Sequence, residues 1–430
     1  MARTDKVQSM LAFFARKILA KHQPFIIGVT GSVGKTSTRH AIAAALGAKY
    51  KLREPIKNYN NEIGIPLTII GTKSWDDDAG SFAKQKALMR IILKGLLAWL
   101  GSDYPKVLVL EYGVDHPGDM DIYLEIAKPN LTVFTAVDFS HKEFFESQEQ
   151  IAQEKGKLAA ALPADGTFVY NADDPLVASQ VARTTARTVS FGTAQAGHSA
   201  DVILEKVDIS LGGQTFSNLQ IKTPSRTLHV TLPAIGAAHE KAALVAVAVA
   251  EAMEVESDLI INGLANYRPM PGRLNVISGI KKSIILDDSY NAAPISTIAG
   301  LNLLAKFPNK IKMAALGDML ELGDSTDKAH KEVGELAAAM DLQKLITVGE
   351  LGKKIAVSAI AAGMPAEKVI SFPDSDTAKS EVLKMLEPES VIFVKGSQGV
   401  RMEKISKELM AQPLSAAQFL PRQYGKWLES

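Results

Sequence analysis

The run Thr30-Gly31-Ser32-Val33-Gly34-Lys35-Thr36-Ser37 constrains this chain more than any other segment. It follows a β-rich stretch, Phe25 to Thr30, and opens a helical pattern over Thr36 to Leu46. Glycines at a strand-to-helix turn let backbone N–H groups curl around phosphate oxygens, and the helix N-terminus adds partial positive charge. In such a loop Lys35 reaches the β- and γ-phosphates and the Thr36 hydroxyl binds Mg2+. The alternative, a glycine turn with a chance Gly-Lys-Thr, does not require a strand before it and a helix after it; a phosphate loop does. The unit implies an α/β fold with a parallel sheet.

The rest of the chain continues that alternation. Residues 107–113 and 130–137 read as strands and Ser147 to Leu162 as a helix. Residues 201–232 alternate in polarity with turn residues between, which predicts antiparallel strands appended to the sheet, followed by an alanine-rich helix over 237–253. The cluster Arg268-Pro269-Met270-Pro271-Gly272-Arg273 reads as a linker, after which the strand–helix alternation restarts. The expected organisation is an N-terminal amphipathic helix (1–24), a central P-loop parallel-sheet ATPase domain (25–270) and a C-terminal Rossmann-like α/β domain (271–430).

Composition narrows the function. Lys plus Arg (48) nearly cancels Asp plus Glu (47), so no basic surface is expected for nucleic acid. Cysteine is absent, which excludes disulfide scaffolds, thiolate metal sites and a cysteine nucleophile. The most apolar long stretch, Ala87 to Leu100, is broken by Arg90 and Lys94 and is too short to span a bilayer. The first 24 residues lack a secretion signal's apolar core, and the cytoplasm is the expected compartment. There Val7, Met10, Leu11, Phe14 and Ile18 share one helical face. That face either packs on the first domain or attaches weakly to an anionic membrane surface.

The spacing of the loop carries further information. The general pattern G-x-x-x-x-G-K-[ST] needs glycine at 29, where this chain has Val29. The tight form T-G-S-V-G-K-T-S resembles the Mur ligases, ATP-dependent amide ligases of cell-wall synthesis. The related folylpolyglutamate synthases usually continue G-K-G-S, whereas this loop reads Gly34-Lys35-Thr36-Ser37. Asn58 to Thr68, Glu111 to Asp119, and His141 to Ser147 with Ile151 to Gly156 are similar to further segments of the family. So are Asp287 to Pro294, Leu316 to Gly323, Val394 to Ser397, and Arg422-Gln423-Tyr424 with Trp427. The Asp287–Pro294 and Leu316–Gly323 segments look most like its D-alanyl-D-alanine-adding members.

The resemblance implies a chemistry and a cast. A carboxylate is phosphorylated by ATP to an acyl phosphate, which an amine then attacks. Gly31, Ser32, Val33, Gly34, Lys35, Thr36 and Ser37 would cradle the nucleotide phosphates. Thr36 and Glu111 would hold one Mg2+, and His141 would help hold a second. Lys155 matches a lysine that the family often carbamylates, turning a cation into an anionic oxygen ligand. Arg273 would meet phosphate and Asp288 the ribose or adenosine side, as a C-terminal domain hinged near 268–274 closes over ATP. Asn61, Asn291 and Asp318 would shape the substrate site. Lys395, after a strand, could bind the acceptor's carboxylate, although a surface lysine fits the same pattern. His116 beside Pro117-Gly118 reads as a turn residue, and most charges on the helix carrying Lys155 as solvated. The implied partners are a peptide or nucleotide-sugar peptide and D-alanyl-D-alanine or another amine, handled by a monomer.

Two departures from the family pattern stand out. About 24 residues precede the first strand, where family members carry a domain that grips the UDP part of the substrate. Three expectations follow: the substrate lacks UDP, another protein supplies recognition, or binding rests on the two remaining domains. In addition, the family's H-N-x-x-N at the helix after the appended strands reads His239-Glu240-Lys241-Ala242-Ala243 here, so adenine contacts must differ. Alternative functions are a Mur-like ligase acting on an unusual wall polymer or γ-linked polypeptide, and a non-catalytic nucleotide-binding homologue.

Overall fold

The computed structural model describes residues 2–74, 81–138, 144–197, 199–212, 214–308 and 310–428. They form two compact units, one of residues 1–210, 216–233 and 238–267, the other of residues 211–215, 234–237 and 268–430.

The first unit begins with α1 (Ala2–His22) and β1 (Phe25–Thr30), followed by α2 (Lys35–Leu46), β2 (Leu52–Arg53) and α3 (Gly64–Ile70). Leu11, Phe14 and Ile18 of α1 are buried among Ile65, Leu67 and Ile91, and Val7 and Met10 pack at the edge of this cluster. Burying a side chain of this size contributes roughly 1.5–3 kcal/mol. The apolar face of α1 thus belongs to the core and is not open to a bilayer. Next come α4 (Ser81–Leu100), β3 (Val107–Tyr112), α5 (Asp119–Ile126) and β4 (Leu131–Phe134). The strand expected over 130–137 is shorter, because Thr135 turns away to bond the phosphate loop: its hydroxyl donates to Val33 O at 2.7 Å.

The chain continues through α6 (Gln148–Ala160), β5 (Thr167–Asn171), α7 (Pro175–Ala178) and β6 (Arg187–Thr193). The last strands are β7 (Val202–Gly212), β8 (Gln214–Lys222) and β9 (Thr227–Leu232), followed by α8 (Ala237–Ala252) and α9 (Ser257–Ala265). The sheet order is β2-β3-β1-β4-β5-β6-β7-β8-β9. β1 lies between β3 and β4 and pairs in parallel with both. Helices cover both faces of such a strand, which explains its unbroken apolar run. Of the strands expected to be antiparallel, β8 and β9 are, but β7 joins β6 in parallel. β7 enters beside the last three residues of β6, with Phe191 level with Val202, so the short connection need step back only a few residues to give the parallel register.

The second unit contains β10 (Asn275–Ser278), β11 (Ile284–Asp288), α10 (Pro294–Ala305), β12 (Lys312–Gly317), α11 (Thr326–Ala338) and β13 (Lys344–Val348). It continues with α12 (Gly352–Ala361), β14 (Val369–Phe372), α13 (Ser375–Met385), β15 (Val391–Lys395), α14 (Glu403–Leu409) and α15 (Ala416–Phe419). Its sheet order is β10-β11-β15-β12-β13-β14, with β10 antiparallel and the others parallel. Ile285, Met313, Ile346, Ile392, Ile405 and Leu409 form its core. Among the described residues no helix is long and apolar enough to cross a membrane.

Candidate active site

The phosphate loop is held by its glycines and by Thr135. Gly31 has φ +146°, and a Cβ there would fall 2.0 Å from the Thr135 hydroxyl oxygen. Gly34, at φ +83°, turns the chain into α2 in a conformation that costs glycine little. Ser32 N–H donates to Ala136 O at 2.8 Å and its hydroxyl to Asp138 O at 3.2 Å. Lys35 folds back over the loop, with Nζ 2.6 Å from Gly31 O and 3.2 Å from Ser32 O. Behind the loop, the hydroxyls of Ser37 and Tyr267 are hydrogen-bonded, and the Tyr267 hydroxyl lies 2.9 Å from His239 Nδ1. All three residues are buried. His239 therefore braces the loop helix from behind. Its neighbour Glu240 is also buried and accepts a 3.0 Å hydrogen bond from the Ser217 hydroxyl.

Register places the acid beside the loop. Val29 of β1 is level with Glu111 of β3, so Glu111 stands at the strand end from which the loop departs. The Thr36 hydroxyl lies 3.3 and 3.2 Å from the two Glu111 carboxylate oxygens. Arg39, one turn further along α2, donates from Nε to Glu111 at 3.0 Å. Its Nη1 pairs with Glu54 at 2.5 Å and bonds Pro55 O at 3.0 Å. Asn60 Nδ2 lies 3.4 Å from Glu111 Oε1. Glu111 is 1% exposed, so it is no solvated acid; its charge is offset by a buried guanidinium.

Lys155, on α6, is also 1% exposed. Burial pulls its ammonium down to about 7, and the Lys35 charge acts in the same direction, against Asp115, Glu154 and Asp119. A substantial fraction of the side chain is then free amine near neutrality. Of the other charges on this helix Glu149 is exposed and Lys157 partly so, but Glu154 is buried as well. Its Oε1 accepts from the N–H groups of Gly118 (3.0 Å) and Met120 (3.1 Å). A carboxylate at the start of α5 satisfies otherwise orphaned donors and complements the helix dipole. His116 is in the turn before α5, with its N–H on Asp119 Oδ2 at 2.8 Å. His141 lies outside the described residues.

The second unit gathers its own group at the C-terminal ends of adjacent parallel strands, where ligand sites of open α/β sheets lie. Asp288 ends β11 and Lys395 ends β15, level with each other. Lys395 Nζ pairs with Asp288 Oδ2 at 2.5 Å and donates to Asn291 O at 2.9 Å. At 2% exposure Lys395 is not a surface lysine, and burial lowers its proton affinity against the pull of Asp288. Arg273 stacks over the Tyr290 ring at 4.1 Å. The turn after β11 is pinned from below by Arg422, which donates to Ser289 O at 2.7 Å and grips Glu403 through Nε and Nη2 at 2.9 and 2.7 Å.

Two expected substrate residues also hold backbone. Asn61 Oδ1 accepts from Ile63 and Gly64 N–H at 3.3 and 2.9 Å, starting α3. Asp318 Oδ1 accepts from Gly352 N–H at 2.7 Å, capping α12. Conversely, Arg39 and Asn60 touch Glu111 without having been expected to. Arg39 lies one turn after Thr36, on the helix face that carries the site, and that spacing was the available signal. Among the described residues no three His, Asp or Glu side chains form a ready-made metal cage.

Comparison with known proteins places this geometry. Residues 29–79 and 86–250 match the Mur ligase middle domain, and residues 272–398 match the domain described as Mur ligase, glutamate ligase domain. The UDP-N-acetylmuramoyl-tripeptide–D-alanyl-D-alanine ligase of Bacillus subtilis (strain 168) is 29% identical over 412 residues, covering 96% of this chain and 81% of the relative. The ligase of the same name from Mycobacterium tuberculosis (strain CDC 1551 / Oshkosh) is 30% identical over 415 residues, covering 90% and 73%. A crystal structure of MurF from Acinetobacter baumannii matches with a TM-score of 0.76 at 25% identity, covering 94% of this chain and 80% of that one. MurF from Thermotoga maritima in complex with ADP shares the fold, with a TM-score of 0.74 at 23% identity over 93% and 83% of the two chains.

Proposed function

The chain belongs to the Mur ligase family, and from that premise we propose that it is an ATP-dependent amide ligase adding D-alanyl-D-alanine to a UDP-muramoyl tripeptide in peptidoglycan synthesis. The observation that carries this reading is that similarity to ligases of that activity runs through 96% of the chain. The loop and Glu111 standing side by side give it a chemical basis. We further propose that the boundary between the two catalytic domains lies near residue 270, between the family matches that end at 250 and begin at 272.

Amide formation in water is uphill, so the carboxylate must first be activated. One carboxylate oxygen attacks the γ-phosphorus of ATP, ADP leaves, and an acyl phosphate forms. The amine of the second substrate attacks its carbonyl carbon, inorganic phosphate leaves, and the amine's proton passes to solvent. Loop N–H groups and Lys35 stabilise charge on the transferring phosphoryl. Thr36 and Glu111 present hard oxygen donors 3.2–3.3 Å apart at the loop, a set that suits Mg2+, which is usually held by one or two protein oxygens plus substrate phosphates. Bound there, Mg2+ would neutralise phosphate charge. Arg39 and Asn60 fix the Glu111 carboxylate in place. Lys155, buried and partly neutral, is in the state that reacts with CO2; as a carbamate it would add anionic oxygens beside Lys35. In the second unit Arg273 and Lys395 supply cations beside Asp288, which suits the anionic end of a substrate.

Incubation with UDP-muramoyl tripeptide, D-alanyl-D-alanine and Mg-ATP, read by mass spectrometry, tests the assignment. The expected product is the UDP-muramoyl pentapeptide, with one ADP per amide, and Lys35→Ala should lower its rate by about 10²–10³-fold. ADP release driven by another amine, with no pentapeptide formed, would rule out these substrates.

A further inference from the structure

Helix α4 carries a surface that the ligase reaction does not use. Met89, Leu93, Leu96, Leu97 and Leu100 recur at spacings of three and four residues, which places them on one helical face. That face points away from the core: Met89 is 72% exposed, Leu93 58%, Leu97 60% and Leu100 69%. Phe13 of α1 extends the stripe, edge-on to Trp99 at 6.2 Å. The opposite side of α4 meets the core through Ala87 and Ile91, so the helix is oriented by packing and the apolar stripe is left outward.

The stripe is rimmed by cations. Helical periodicity places Lys86 at its N-terminal end and the exposed Lys94 along one edge, where Arg90 is half-buried with Nη2 3.4 Å from Lys73 O. On the other edge Lys17 lies over both Phe13 and Trp99, with Nζ 5.6 and 6.0 Å from the ring centres. At the far end Lys21 Nζ binds the carbonyls of Leu100 and Gly101 at 2.7 and 2.8 Å. Ser81–Leu100 contains no Asp or Glu, in a chain whose net charge is only +1. The acids Asp76, Asp77 and Asp78 precede the helix in sequence and lie outside the described residues.

We propose that this face of α4, with Phe13 and Lys17, is a docking surface for an anionic lipid bilayer. A single helix with an apolar stripe and a basic rim lies in the headgroup plane, its apolar residues among acyl chains and its cations on lipid phosphates. A second copy of the chain fits poorly, because a two-fold contact through this face would set the same cationic rim against itself. The surface is also distinct from the face of α1 that packs into the core.

Sedimentation of the full chain with vesicles tests the proposal. The probes are phosphatidylcholine alone and phosphatidylcholine mixed with phosphatidylglycerol, at equal lipid concentration. The chain should bind the mixed vesicles, bind the neutral ones about tenfold or more weakly, and be released as salt is raised. A Leu93→Glu, Leu97→Glu variant should lose about tenfold or more in vesicle binding with its ATP turnover in solution unchanged. A Lys17→Glu, Lys94→Glu variant, which reverses one exposed cation on each edge and keeps the stripe, should lose binding to the mixed vesicles as well. Absence of binding to the mixed vesicles, equal binding to both kinds, or unaltered binding by the Leu93/Leu97 variant overturns the proposal. So does light scattering that finds a dimer abolished by those glutamates while vesicles stay unbound.

Discussion

Lys155 sits in an environment far from what its type would suggest. An ordinary lysine is wholly ammonium at neutral pH; here burial and the charge of Lys35 bring it to about 7. The free amine is present above that value and is lost as pH falls through it. If carbamylation activates the enzyme, protein depleted of CO2 should be inactive and should regain activity on adding bicarbonate at pH 8, with recovery much reduced at pH 6. Labelling with 13C-bicarbonate should give one carbamate resonance that Lys155→Ala removes. Activity indifferent to CO2 depletion at both pH values would exclude the modification. Sequence singled out Lys155 through its surroundings, Ile151 to Gly156, but could not show its burial. That depends on the packing of α6 against strands far away in the chain.

At the scale of elements, two buried polar clusters do structural work that can be measured. Arg39 links α2 to Glu111 on β3 and to Glu54. Removing one member of a buried ion pair typically costs about 3 kcal/mol or more, because the partner's charge stays buried. Arg39→Ala should therefore lower the unfolding midpoint of the first unit by roughly 10 °C. A midpoint equal to that of the wild type would show that the pair contributes nothing. In the second unit, burial pushes Asp287 up to about 7, against the hydrogen bonds from Ser406 and Ser289. The folded chain then holds a proton that the unfolded chain releases above its ordinary value. This group's contribution to stability is complete at low pH and is lost as pH rises towards 7. Asp287→Asn, which resembles the protonated acid, should unfold a few degrees above wild type at pH 8 and converge with it near pH 4. Parallel curves over that range would refute the assignment.

The phosphate loop and the alternation of strands and helices were legible in the sequence for local reasons, whereas Thr36 and Glu111, 75 residues apart, were grouped only by the family resemblance. Gly31 and Gly34 mark backbone that other residues tolerate poorly. What was not legible depends on distant partners. Arg39 meets Glu111 across 72 residues, and Lys395 meets Asp288 across 107. Asn61 and Asp318 belong to matching motifs yet spend side-chain oxygens on helix starts, a distinction that only backbone geometry reveals. The parallel entry of β7 was missed because alternating polarity reports one solvated face, not strand direction.

For the whole molecule, the account comes down to one claim: the chain drives amide formation by moving a phosphoryl group from ATP onto a carboxylate oxygen. The composition agrees with this, since a near-neutral chain needs positive charge only locally, as at Lys35 of the loop. Oxygen tracing tests the claim most directly. The tripeptide carboxylate is labelled with 18O, and the phosphate released during turnover with D-alanyl-D-alanine is analysed by mass spectrometry. An acyl phosphate requires one labelled oxygen to leave with each phosphate. Amide product accompanied by wholly unlabelled phosphate would contradict the account.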